Sequence, residues 1–134
     1  MAEREAIAAR VRTGWRIIGI CMLGVVWWGC LTPSPPQLSP PFPYFDKFEH
    51  FIAYLGLAAW FAAIYVQRRQ RFVILVLLIV MGGSIEILQG YTGRDPEWLD
   101  WLADIIGTLS GLAWPARWFS ALYQYLAGKH VQSV

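Results

Sequence analysis

The residues able to do chemistry in this chain fall into two short patterns and a pair between them. Asp46, His50 and Tyr54 recur every four residues, so on a helix they stack along one face, with Lys47 on its edge. Asp100 and Asp104 follow the same spacing and lead into Gly107 and Gly111, again along a single face. Glu86 and Gln89 lie three apart on one side of a third segment, and Arg94 supplies a counter-charge. One imidazole, several carboxylates, a lysine and an arginine drawn together could move protons, bind a cationic head group or hold a divalent ion. Spacing does not choose among these. One His among scattered carboxylates lacks the close ligand spacing of a zinc centre, so no metal and no cofactor is indicated. No activated nucleophile stands out, since Ser84 falls deep in an apolar run and Thr92 in a loop. Whether the chain is an enzyme is therefore open. Its catalytic candidates are Glu86 or Asp104 as general base and His50 as acid or charge stabiliser.

The elements that must position these residues follow from hydropathy. The chain has 134 residues, 57% of them hydrophobic, and the apolar residues come in long blocks between short charged stretches. Trp15 to Leu31, Phe48 to Val66, Phe72 to Leu88 and Trp101 to Trp118 each approach the roughly 17 to 25 residues needed to cross a hydrocarbon core. Barrel strands would show short alternating segments instead. The expectation is an all-α, polytopic membrane protein, one domain over residues 1–134, folded as an antiparallel bundle of four transmembrane helices. Ionisable groups at such depth are costly and usually face the bundle interior, where they find partners and mark function. An internal hydrogen-bond network that only pins the helices would satisfy the same pattern.

Basic residues set the orientation. Arg4, Arg10, Arg12 and Arg16 precede the first block, Arg68, Arg69 and Arg71 separate the second and third, and Arg117 and Lys129 follow the fourth. Flanking bases stay on the cytoplasmic side, so both termini are expected in the cytoplasm and Lys47 and Arg94 outside. The net charge of +2 thus hides a strongly acidic outer face, where nucleic acid is an implausible partner. The outer loop Thr32 to Pro43 carries six prolines and reads as a stiff strap. Trp15, Trp114 and Trp118 read as inner interfacial anchors, and Trp27, Trp28, Trp98 and Trp101 as outer ones. Cys21 and Cys30 are too far apart along one helix to bridge. The tail beyond Phe119 is amphipathic enough to lie along the inner surface.

The ordered set Asp46-Lys47-Phe48-Glu49-His50-Phe51, Tyr54, Glu86-Ile87-Leu88-Gln89, Arg94, Asp100, Asp104, Gly107 and Gly111 resembles the VanZ-like family of bacterial membrane proteins, over about residues 15 to 115. The resemblance implies a cytoplasmic (inner) membrane location and a shared polar set of Asp46, Lys47, His50, Glu86, Gln89, Arg94, Asp100 and Asp104. Many members of that family have Asn where this chain has Asp104, so its pocket carries an extra negative charge. The family's founding member is linked to low-level resistance to the glycopeptide teicoplanin, by a mechanism that was not established.

These readings lead to an expected outward pocket that recognises the head of a cell-envelope lipid, a lipid-linked glycan or a lipophilic glycopeptide. An envelope enzyme acting on such a head group, or a structural subunit of a larger membrane complex or homo-oligomer, are the alternatives. The binding set comprises Asp46, Lys47, His50, Tyr54, Glu86, Gln89, Arg94, Asp100 and Asp104.

Overall fold

A computed structural model describes residues 2–32, 43–93, 95–113 and 121–126, and every regular element among them is helical. α1 runs Ala2–Leu31, α2 Phe45–Ile64, α3 Arg68–Thr92 and α4 Trp98–Ala113, followed by a short helical stretch at 121–126. Each helix begins before its apolar block. α1 gains thirteen residues relative to Trp15, because the leading stretch is rich in Ala, Glu and Arg, which favour helix. α2 and α4 each start three residues early, and α3 extends past both ends of its block. The expected continuation of α4 to Trp118, the strap at 33–42, and Arg94, Trp114, Arg117 and Lys129 lie outside the described residues.

Among the described residues, α1 over Glu5–Leu31 and α3 over Arg68–Thr92 are long and apolar enough to cross a membrane. α2 and α4 have 20 and 16 residues and carry acids in their first turns, Asp46 and Asp100. At 1.5 Å per residue the described part of α4 reaches only about 24 Å.

Contacts along the chain fix the helix directions. Trp15 meets Trp60, Gln89 meets Cys30 and Trp101 meets Ile79, so successive helices run in opposite senses. α2 and α4 run parallel and make the closest interface. Gly107 stacks on the Phe51 carbonyl and Gly111 on the Leu55 carbonyl and Ala58, where an added Cβ would collide with backbone. Small residues bring two backbones together in this way and set side chains from both helices at one level.

The interior mixes an apolar core with polar groups: Leu57, Ile74, Leu78, Ile85 and the alanines Ala58, Ala59, Ala62 and Ala63 are buried, and so are His50, Glu86, Gln89, Asp100, Asp104 and Thr108. Ile17, Ile20, Val25, Phe48, Ile52, Val73, Leu77, Val80, Ile106 and Leu109 are on the outside. Contiguous exposed apolar surface of this kind calls for a partner or a lipid phase.

One expectation is corrected at the arginine-rich end. Trp15 is not an interfacial anchor: it is buried and stacks on Trp60 at 4.0 Å between centroids. The two indoles exchange hydrogen bonds with each other's backbone, Trp15 Nε1 to the Trp60 carbonyl at 3.2 Å and Trp60 Nε1 to the Trp15 carbonyl at 3.0 Å. A buried indole needs an acceptor for its N–H, and here each residue supplies the other's. Tyr123, in the short terminal stretch, meets Trp15 edge-on at 5.6 Å, which brings the tail onto α1. Arg71 closes this end of the bundle by donating to the carbonyls of Tyr65 and Leu112.

Candidate functional site

At the opposite end, the first turns of α2 and α4 meet the end of α3. Lys47 is the hub. Its ammonium donates to Asp46 Oδ2 at 2.7 Å, Glu97 Oε2 at 2.6 Å and Asp100 Oδ1 at 2.8 Å, although its side chain is only 14% exposed. Both residues of the Asp46–Lys47 pair precede the apolar run of α2. Burial opposes the charge on Lys47, but the hydrogen bonds to Asp100, Asp46 and Glu97 outweigh it and push the ammonium's pKa up. Asp46 is likewise opposed by burial, yet its bonds to Lys47 hold its carboxyl below the ordinary value. The three acids present oxygens within 4.8 Å of one another, a spacing that could hold a cation. In this fold the cation bonded to all three is the chain's own lysine.

One turn deeper, His50 Nδ1 and Asp104 Oδ1 are 2.9 Å apart, with the imidazole 9% exposed and the carboxylate fully buried. Thr108 donates from its hydroxyl to the Asp104 carbonyl at 2.8 Å, steadying that turn of α4. Gly82 of α3 makes room for the carboxylate, since a Cβ there would lie 2.6 Å from Asp104 Oδ2. Glu86 Oε2 accepts the Glu97 backbone N–H at 2.8 Å, which ties the loop before α4 to α3.

Among the described residues, the buried Glu86 Oε1 makes no hydrogen bond, and Tyr54 Oη and Asp104 Oδ2 make none of ordinary geometry although the two side chains approach each other. Buried polar groups are rarely left in this state, because each forfeits its hydration without compensation. They belong to three different helices. Beside Glu86 a cavity of about 670 Å³ opens between α3 and the start of α4, walled by Val80, Pro96, Trp98 and Trp101, with Glu86 as its one ionisable lining residue.

The fold thus gathers Asp46, Lys47, His50, Tyr54, Glu86, Asp100 and Asp104 at one end. Gln89 is buried at that end too, but its amide is engaged by the Cys30 carbonyl of α1 at 3.0 Å. Glu49 is exposed, as its position on the helix face requires. Ser84 donates to the Val80 carbonyl at 2.7 Å within its own helix, consistent with a residue that is not an activated nucleophile. The important residue missed from sequence is Glu97. It completes the lysine cluster with its carboxylate and holds Glu86 with its backbone, and only its place just before a helix start distinguished it from other loop acids.

No protein-family model, curated protein or solved structure matches the chain.

Proposed function

We propose that this chain is a four-span protein of the VanZ-like type in the bacterial inner membrane, and that its outward polar pocket binds the head of an envelope lipid or lipid-linked glycan. Three features support membrane placement: two helices of spanning length, apolar surface on all four helices, and ionisable residues turned inward from that surface. Cytoplasmic termini follow from the arginines gathered at the Trp15 end, with the acidic cluster at the other.

The observation that carries the binding reading is Glu86, whose buried Oε1 has no partner among the described residues, in the wall of a cavity otherwise lined by apolar and aromatic groups. A lipid whose chain lies along α3 and α4 would bring its head to Glu86. The head that fits supplies hydrogen-bond donors. Among the described residues five carboxylates, on Asp46, Glu86, Glu97, Asp100 and Asp104, face two basic groups, Lys47 and His50, so an amino or polyhydroxyl head is favoured over an anionic one.

Binding of phospholipids with ethanolamine and choline heads, compared on identical acyl chains in detergent, tests this. The ethanolamine lipid should bind about tenfold more tightly, since a quaternary ammonium has no N–H to donate. Glu86→Gln should remove that preference. Equal binding of the two lipids, and no effect of Glu86→Gln on either these or a lipid-linked sugar, would refute the reading.

A second reading is an enzyme acting on the same head. It is favoured by the His50–Asp104 pair, a carboxylate that orients a buried imidazole as acid–base catalysis requires. Product formation from a lipid-linked sugar or phospholipid, abolished by His50→Gln, separates it from simple binding.

A further inference from the structure

A second cavity, of about 800 Å³, lies at the arginine-rich end, between α1 and α3 with the end of α2 as its floor. Its walls are two ladders. Arg16, Ile20 and Leu23 lie on one face of α1, and Arg69, Val73, Leu77 and Met81 recur every fourth residue along α3. Both ladders begin with an arginine at the same end and continue with apolar side chains only. From Arg69 to Met81 the groove is about 18 Å long, close to the roughly 15 Å of a single leaflet's hydrocarbon.

Among the described residues the two arginines, Arg16 and Arg69, are not paired with an acid. Arg71 is consumed by the Tyr65 and Leu112 carbonyls, and Arg16 lies over the Tyr65 ring at 5.6 Å, which orients its guanidinium without neutralising it. A water-soluble anion would satisfy the arginines but leave Ile20 and Leu77, each more than 60% exposed, uncovered. A neutral hydrocarbon would do the reverse.

We propose that this groove is a binding site for an anionic phospholipid of the cytoplasmic leaflet, its phosphate held by Arg16 and Arg69 and one acyl chain lying between α1 and α3. Guanidinium groups pair with phosphate oxygens through charge-assisted, bidentate hydrogen bonds. The apolar ladders give the chain a seat. This site shares with the reading above only the placement in a membrane; it uses none of the residues of the outer pocket.

Native mass spectrometry of the full chain in neutral detergent, with equimolar phosphatidylglycerol and phosphatidylcholine of identical acyl chains, tests it. The wild type should retain one phosphatidylglycerol, with about tenfold preference over phosphatidylcholine. Arg16→Gln combined with Arg69→Gln should bring that preference to parity, whereas Arg68→Gln, an exposed neighbour that does not line the groove, should leave it intact. Leu77→Trp fills the groove from an exposed position without touching the core, and should cut retention of both lipids about tenfold. Soluble glycerol phosphate should not displace the lipid. Equal retention of the two lipids by the wild type, an equal loss in Arg68→Gln, unchanged binding in Leu77→Trp, or displacement by glycerol phosphate would each overturn the proposal. Loss of outer-pocket binding in Glu86→Gln would leave this result unaltered, so the two sites stand or fall separately.

Discussion

Replacing Lys47 by Met removes the one positive charge that the described residues place in the Asp46, Glu97 and Asp100 cluster, while keeping most of the side-chain volume. Three carboxylates whose oxygens lie within 4.8 Å then face one another with nothing between them. At that separation each pair of full charges costs roughly 0.9 kcal/mol in a water-like dielectric and roughly 3.5 kcal/mol at an effective value near 20. Asp46 and Glu97 are about half exposed, so their side chains can swing apart and the lower figure applies. A net loss of about 2 kcal/mol follows, or roughly 8 °C in the unfolding midpoint for a chain of this size. The same substitution frees the three acids to take a divalent cation. Calcium at 100 times its dissociation constant would return about 2.7 kcal/mol. Thermal unfolding in detergent, with chelator and then with calcium, reads both effects. The variant should melt lower than the wild type in chelator and recover in calcium, while the wild type should not respond. A variant as stable as the wild type in chelator, or a wild type stabilised equally by calcium, would refute the assignment of Lys47 as the cluster's cation.

Further outcomes follow from the same geometry. Asp104→Ala should cost about 3 kcal/mol, because it leaves His50 buried without its partner, and denaturant unfolding of the single and double variants with His50→Ala should show strong coupling. Gly111→Ala should lower the melting point by the equivalent of about 1 to 3 kcal/mol, since its Cβ meets the Leu55 carbonyl and Ala58. The stability contributed by Lys47 should depend on pH at both extremes. The lowered carboxyl of Asp46 contributes above its ordinary value and loses that contribution as pH falls below about 4, whereas the raised ammonium of Lys47 contributes fully below about 10.4 and loses it as pH rises further. The difference in melting point between wild type and Lys47→Met should therefore be flat from about pH 5 to 9 and shrink outside that window.

Much of the site was legible before the fold was known, because helical spacing alone places Asp46, His50 and Tyr54 on one face and Asp100, Asp104, Gly107 and Gly111 on another. The glycines in the second pattern are small enough for a close helix contact, but spacing does not say that α4 presses on α2. Chain order could not reveal that parallel contact, which is what sets Asp104 against His50. Lys47 reads from spacing as an edge residue of its helix face and is the centre of the polar cluster. Its role depends on Glu97, whose position is fixed by a loop whose path no periodicity describes. Trp15 shows the opposite error. Tryptophan at the end of an apolar run usually marks an interface, but a second tryptophan forty-five residues away buries it by exchanging backbone hydrogen bonds. The helix ends were under-read for a simpler reason, since hydropathy marks apolar stretches, whereas helices continue through Ala, Glu and Arg until their hydrogen bonds run out.

Native mass spectrometry of the detergent-purified protein beside Glu86→Gln tests the outer pocket most directly. Gln retains an oxygen to accept the Glu97 N–H, so the variant should fold, while the charge at the unpartnered Oε1 is removed. The account predicts that the wild type carries, besides the phosphatidylglycerol of the inner groove, a second lipid or lipid-linked glycan of defined mass with amino or hydroxyl groups in its head, and that Glu86→Gln, with an unchanged helical spectrum, has lost that second species. Retention of that second species by both proteins would contradict a head-group site at Glu86.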